Sequence, residues 1–405
     1  MASAAATAAE LHAAGVAANA DMRPVAAARI LRTALRQLGR APGEPAPGLL
    51  RGRILVSLAL AESEQGHISQ GLRLLRQAES CMPMDQRGVL YGQRGMLLRR
   101  TGRDELALEQ YAAALSVLDE PVEIARVLLN RAVLHMTAAR SAPAAADLRR
   151  CADLAARHGL ESLAAKADHN LGYMDYLAGD IPGALRRYAA VERSYACHSP
   201  GMLPVLSLDR ARALLAAGLF TEADQHLANA QAQLGRQRLS QDHAETQLAR
   251  AEAAMLADRA SASSRWARRA HSLFVRRDNP RWAARAELVL LRADHVTGAD
   301  VAARAVSLAA ELRQLGLAED ARVASLIATR ALAARGQIAR AAPMIAGWSP
   351  RRDDRLDTRL LWRLAHAEVA AAEGRPTAAS RHLAAGLDEL HRYRSQCRVV
   401  RRMGA

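Results

Sequence analysis

An aspartate beside a histidine is half of an acid–base relay, and the chain has two such doublets, Asp168–His169 and Asp242–His243. Sequence neighbours leave a helix on different faces, so neither doublet is a dyad by itself. The sequence contains no P-loop, no G-x-G-x-x-G, no H-E-x-x-H and no G-x-S-x-G. Phosphoryl-transfer, dinucleotide, zinc-peptidase and serine-hydrolase chemistries therefore have no motif to carry them. Cys81, Cys151, Cys197 and Cys397 are 70, 46 and 200 residues apart. That spacing fits neither a metal cluster nor a small disulfide framework, and it reads as incidental thiols in a reducing cytosol. The expectation is a protein with no catalytic residues, no metal and no cofactor.

One other stretch could do chemistry. Arg259 to Arg292 holds nine arginines against Asp278 and Glu287, interleaved with Trp266, Phe274 and Trp282. Arginines among exposed aromatics would grip single-stranded nucleic acid, whereas aromatics at helical spacing would pack a core. The net charge of +15 invites the first reading. Lys166, however, is the sole lysine among 56 basic residues. So lopsided an arginine usage, with so much alanine, points to a compositional bias over the whole chain. The spacing favours the core, and a basic nucleic-acid-associated helical repeat stands as the alternative.

The elements that must position these residues are helices. Half of the 405 residues are hydrophobic, only 3% are aromatic, and strand-like runs between turn residues are missing. The N-terminus MASAAATAAELHAAG has no basic n-region or leucine-rich h-region, and no 18-residue apolar stretch follows. A cytoplasmic protein without a membrane segment is expected.

A chain longer than roughly 250–300 residues outgrows a single core, and internal periodicity explains how this one is built. Tyr91 to Pro121 reads as an apolar helix, a Thr-Gly break, Asp104 as an N-cap, a second apolar helix and a terminating proline. The unit resembles the tetratricopeptide repeat. Tyr91 stands at the motif's Trp, Gly95 at its Gly, Leu98 at its Tyr, Ala107 and Ala114 at its small positions, and Tyr111 at its Phe. The small position of the first helix recurs at Gly15, Ala59, Gly95, Ala132, Gly172, Ala211, Ala251, Leu291, Thr329 and Ala367, in steps of 36 to 44 residues. Ten antiparallel helix pairs are expected, forming an all-α, right-handed superhelical solenoid. Gly102, Gly179 and Gly218 fall at the turn inside a pair, with Asp180 and Thr221 placed to cap the helices that follow. The first, eighth and ninth pairs are degenerate. The expected division is a helix pair with a Pro/Gly linker over 1–48, repeats over 49–347, a last repeat over 348–396 after the polar Trp348–Asp357 loop, and an irregular basic tail over 397–405.

In proteins of this kind the first helix of each pair lines a concave groove, and a polar residue two before the small position meets an extended peptide. That position holds Gln93, Asn130, Asn170 and Asp209 in pairs three to six, then Ala249, Val289, Ile327 and Ala365. An asparagine amide both donates and accepts, so two of them one repeat apart form a short ladder for a peptide backbone. Arg126 and Lys166 lie six before the small position, Val133, Tyr173 and Arg212 one after it, and His169 beside Asn170. The resemblance implies a protein or extended peptide as partner, an acidic one included. On the alternative reading Asn130 and Asn170 bond neighbouring helix ends, Lys166 is solvated and Tyr173 packs.

A narrower resemblance rests on Leu128–Cys151, Lys166–Leu185 and Leu206–Asp224, above all HNLGY followed by GD-x-P-x-AL. These strings are similar to the repeat region of actinobacterial proteins that join tetratricopeptide repeats to a CHAT domain, a caspase-like peptidase fold. That implies the recognition arm of a peptidase system. No His or Cys here matches the peptidase dyad, and CRVVRRMGA from Cys397 drops the helical pattern, as a truncated or frameshifted longer chain would.

Overall fold

The computed structural model describes residues 4–21, 23–39, 48–138, 140–235, 241–351, 354 and 356–403. Among them are twenty α-helices and no strand. In chain order they make ten A/B pairs. These are α1 (Ala4–Ala20) with α2 (Pro24–Leu38), α3 (Gly48–Glu64) with α4 (Ile68–Glu79), α5 (Gly88–Arg100) with α6 (Asp104–Val117), and α7 (Pro121–Thr137) with α8 (Ser141–Arg157). Then come α9 (Glu161–Leu177) with α10 (Ile181–His198), α11 (Leu203–Ala216) with α12 (Phe220–Leu234), and α13 (Gln241–Leu256) with α14 (Ala260–Arg276). The last three are α15 (Pro280–Val296) with α16 (Ala302–Gln314), α17 (Ala318–Ala334) with α18 (Ile338–Ile345), and α19 (Leu356–Ala372) with α20 (Pro376–Met403).

The helices group into two compact units. The first comprises Met1–Ala213, Gln225–His243 and Arg276–Asn279, the second Leu214–Asp224, Ala244–Val275 and Pro280–Ala405. Each has its own apolar strip. In the first, for example, α2 buries Ala27, Ala28, Leu31, Ala34 and Leu38, one face of a helix, against its neighbours. In the second, Leu326, Ile327 and Ala331 of α17 sit in a core continuous with Leu308 and Leu312 of α16 and Ala365 and Val369 of α19.

All ten positions read as the small site of the first helix lie on an A helix and are buried, the degenerate first, eighth and ninth pairs included. The reason is a close approach. A β-carbon on Gly95 would come 2.7 Å from the Tyr111 ring, one on Gly172 2.8 Å from the Tyr188 ring, and one on Gly15 2.5 Å from Leu31. The large residue of helix B fills the space that glycine leaves open. Where Leu291 and Thr329 replace the small residue they are fully buried, and the Thr329 hydroxyl donates to the carbonyl of Ser325 at 3.0 Å.

The turns follow from backbone chemistry. Gly102, Gly179 and Gly218 take φ of 76°, 84° and 74°, the left-handed region that glycine enters at no steric cost. At Gly102 the amide of Arg103 donates to Leu98 and that of Gly102 to Arg99, satisfying carbonyls the helix end would orphan. Asp180 caps α10, its carboxylate accepting from Gly183 N at 2.9 Å. Two expected caps are corrected. Asp104 is the first residue of α6, after Arg103, and Thr221 is the second residue of α12. The tail is corrected as well, since α20 continues as helix to Met403. Residues 40–47, the core of the Pro/Gly linker, and residues 352, 353 and 355 of the Trp348–Asp357 loop lie outside the described residues.

Candidate peptide-binding face

Pairs three to six place the expected groove residues on four A helices of the first unit, α5, α7, α9 and α11. Gln93, Asn130, Asn170 and Asp209 are all half-buried. Being two residues before the buried small site, they sit at the edge of the packed face and keep contact with solvent. The same position in pairs seven to ten is closed, with Ala249 and Ile327 each 1% exposed, Ala365 0% and Val289 8%. The polar and apolar versions of this position thus correspond to open and closed environments.

The four polar residues are not equivalent. Asn130 and Asn170 have no hydrogen-bond partner among the described residues, and Nε2 of Gln93 is buried without one. Asp209 is engaged. Its Oδ1 accepts from Arg212 Nη1 at 2.7 Å, and its Oδ2 lies 3.2 Å from His169 Nε2, within ion-pair range but poorly aligned for a hydrogen bond. Burial pushes the Asp209 carboxyl up, but His169 and Arg212 together hold it below the ordinary carboxylate value.

His169 is 4% exposed, with Nδ1 3.1 Å from the Tyr195 hydroxyl and its ring edge-on to Tyr188 and Tyr195. It therefore offers its ring to the core and not to a ligand in solvent. Asp168, its neighbour, is exposed on another face, so the doublet does not come together. Burial raises the Tyr188 and Tyr195 hydroxyls far above the usual phenol range, so neither ionises near neutrality. His169, Asp209, Arg212 and Tyr195 form a network joining α9, α10 and α11. Tyr195 was not visible as its member from sequence, because 26 residues separate it from His169.

Around the two asparagines the charge is positive. Arg126 is exposed and pairs with Glu123 at 2.6 Å on its own helix. Lys166 is half-buried, has no acidic partner among the described residues, and its amine is lowered by burial and then by the Arg126 charge. Val133 and Tyr173 are half-buried against the apolar cluster of α7 to α9, and Tyr173 lies 5.6 Å from Tyr176. The open amides, Lys166 and these two side chains make one polar-rimmed surface on adjacent A helices.

The arginine-rich stretch reads as packing. Phe274 is fully buried and stacks on Trp282 at 5.5 Å, while Trp266 is covered by Arg250 and Arg269, 4.5 and 5.1 Å above its ring. Arg277 is 2% exposed and donates to the carbonyls of Glu64 and Ser63 within the first unit. Among the described residues no group of three or more His, Cys, Asp or Glu is placed to hold a metal, and no helix is long and apolar enough to cross a membrane.

No protein-family model and no curated protein matches the sequence. Solved structures do share its fold. The apo form of the quorum sensor NprR from B. thuringiensis is 9% identical, covering 94% of this chain and 98% of its own, with a TM-score of 0.52. A Rap protein complexed with competence and sporulation factor is 12% identical over 96% of this chain and 99% of its own, at 0.45. A tetratricopeptide repeat protein from Parabacteroides merdae is 16% identical over 69% and 99%, at 0.42. The chain has an all-α tetratricopeptide-like helical-repeat fold.

Proposed function

We propose that the chain is a protein-interaction scaffold, acting in the cytosol, that holds an extended peptide or protein segment on the A-helix face of pairs three to six. The observation that carries this reading is the pair of asparagines, Asn130 and Asn170, one repeat apart, half-buried and without hydrogen-bond partners among the described residues. A half-buried amide left unmet is costly unless water or a ligand satisfies it. Two of them at repeat spacing suit a backbone whose own N–H and C=O groups need partners. Lys166 and Arg126 beside them favour acidic side chains in the ligand. The NprR and Rap structures support a binding role only through the shared repeat fold. The resemblance to CHAT-linked repeats extends the proposal to the recognition arm of a peptidase system.

The test is selection of a phage-displayed library of extended peptides on the full chain, followed by titration of the enriched peptides against Asn130→Ala/Asn170→Ala. The proposal expects peptides that bind the wild type and lose at least tenfold in affinity with the double variant while its melting is unchanged. Retained affinity, or a lower melting temperature without a selective binding loss, would reject it. For the peptidase extension, the enriched peptide should change cleavage by a CHAT-fold peptidase mixed with the full chain. An unchanged rate rejects that part alone.

A further inference from the structure

We propose that Arg277 is a clasp: it ties the turn after α14 back to the end of α3, and so holds the A-helix face of pairs three to six in its peptide-binding form. The argument begins at the turn inside each pair. At Gly179, Gly298, Gly336 and Gly374 this turn faces open space, and a β-carbon would meet nothing within 4 Å. Gly66, at the turn of pair two, is buried instead, and a β-carbon there would come 3.3 Å from Cγ and 3.4 Å from Cα of Arg277. The residue two before the turn shows the same contrast. Leu177, Leu256 and Val296 are each more than half exposed, whereas the side chains of Glu64 and Arg100, in pairs two and three, are 20% and 16% exposed. An edge that is open at the later pairs is covered at these two.

The cover is chemically specific. Helix α3 ends at Glu64, and among the described residues no main-chain amide donates to the Glu64 carbonyl. Arg277, 213 residues further along the chain, supplies the donor. Its Nη1 lies 3.1 Å from that carbonyl and its Nη2 3.4 Å from the carbonyl of Ser63. A guanidinium at the negative end of a helix satisfies orphaned carbonyls and complements the helix dipole, and this one is buried at 2% exposure. Two contacts flank it. The Glu64 carboxylate accepts from Arg100 of α5 at 2.5 Å, and Asn279, 4% exposed, donates to Gln241 of α13 at 3.2 Å. Ser63 to Gly66, Arg100, Gln241 and Arg276–Asn279 all belong to the first unit.

The position of the clasp in the chain gives it a consequence. Between the end of α3 and the start of α13 run α5, α7, α9 and α11, the four A helices of the candidate face. Stacked pairs turn by a small rotation at each interface, so tying the two flanks together fixes what those rotations add up to. Asn130 and Asn170 keep contact with solvent while the clasp is made, which assigns the clasped form as the binding form and not as an inhibited one. Without the clasp the face is free to vary, and a ligand would have to order it on binding. This effect on binding rests on the reading of pairs three to six as the peptide face; the tie itself does not.

The test compares the full-length wild type with Arg277→Gln and Arg277→Lys by hydrogen–deuterium exchange well below the melting temperature. In Arg277→Gln the amides of Gln65, Gly66 and His67 and those of residues 276–279 should exchange about tenfold faster, both segments together, with α1 and α16 to α19 unchanged. Arg277→Lys, which keeps the charge and one donor, should fall between. Acceleration of 276–279 alone, no acceleration, or a uniform rise over the whole chain would overturn the clasp. Peptides selected on the wild type should bind Arg277→Gln about tenfold more weakly, with Arg277→Lys again between, and by reciprocity should slow exchange at Gly66 in the wild type. Equal or tighter binding by Arg277→Gln would overturn the hold on the face even where the exchange result stands. Selection of no peptide at all would overturn the binding-face reading and the coupling with it, while exchange alone decides the clasp.

Discussion

Pairs three to six and pairs seven to ten repeat the same helix hairpin, yet they differ at the position two before the small site. In the former it holds Gln93, Asn130, Asn170 and Asp209, all half-buried, and in the latter Ala249, Val289, Ile327 and Ala365, all closed off from solvent. The chain thus uses one register for two purposes. In the second unit the A-helix flank is core, and in the first it is surface with hydrogen-bonding capacity to spare. The lesson is that a helical repeat fixes where a residue stands, while the surrounding packing decides whether that place can be polar.

The sharpest way to break the comparison is to exchange the two kinds of residue. Ile327→Asn puts an amide where no partner waits and removes a buried side chain, so it should cost about 3–5 kcal/mol in urea unfolding of the chain. Asn170→Ile should leave stability within about 0.5 kcal/mol, since its site is half open. Equal losses at both positions would show that the two environments are alike.

Within the first set, Asp209 should behave differently from the asparagines. Asp209→Ala strands His169 and Arg212 and should cost about 3 kcal/mol, where Asn130→Ala costs a few tenths. The sign of its pH dependence follows from a folded carboxyl held below its unfolded value. The stabilisation is complete above the ordinary carboxylate pKa and is lost as pH falls through the depressed folded value. Asp209→Asn should therefore flatten the acid limb of stability against pH, as measured by urea titrations between neutral and strongly acid conditions.

A smaller effect should come from the close approach that holds each pair together. Gly172→Ala drives a β-carbon to 2.8 Å from Tyr188 and should cost about 1–3 kcal/mol by thermal or urea melting. The smallest is a null. With Phe274 in the core and Trp266 covered by arginines, filter binding of single-stranded DNA across a salt series should show no saturable binding near physiological ionic strength. Tight binding with a steep salt slope would revive the basic-surface reading.

Much of this was legible in the sequence because helical repeats encode it locally. Gly95, Gly172 and Gly15 marked the close approach, Gly102, Gly179 and Gly218 the left-handed turns, and Asp180 its cap. Other features depend on what lies across the helix. Thr221 reads as a cap, yet α12 starts one residue earlier, at Phe220. His169 was expected on the groove, but Tyr195 and Asp209, distant in sequence, draw it inward. The motif break at Cys397 suggested an irregular end, whereas arginine, valine and methionine all tolerate a helix, and α20 runs on to Met403. Which surface positions are closed, as at Ile327, and which stay open, as at Leu383, is a property of neighbours and not of the local string.

The most direct test of the central claim is hydrogen–deuterium exchange of the full chain with and without a peptide selected on it. If pairs three to six form the binding face, added peptide should slow exchange in α7 and α9, and Asn130→Ala/Asn170→Ala should abolish that protection while leaving the unliganded exchange pattern unchanged. Protection confined to α15 and α17, or protection of α7 and α9 that survives the double substitution, would contradict it.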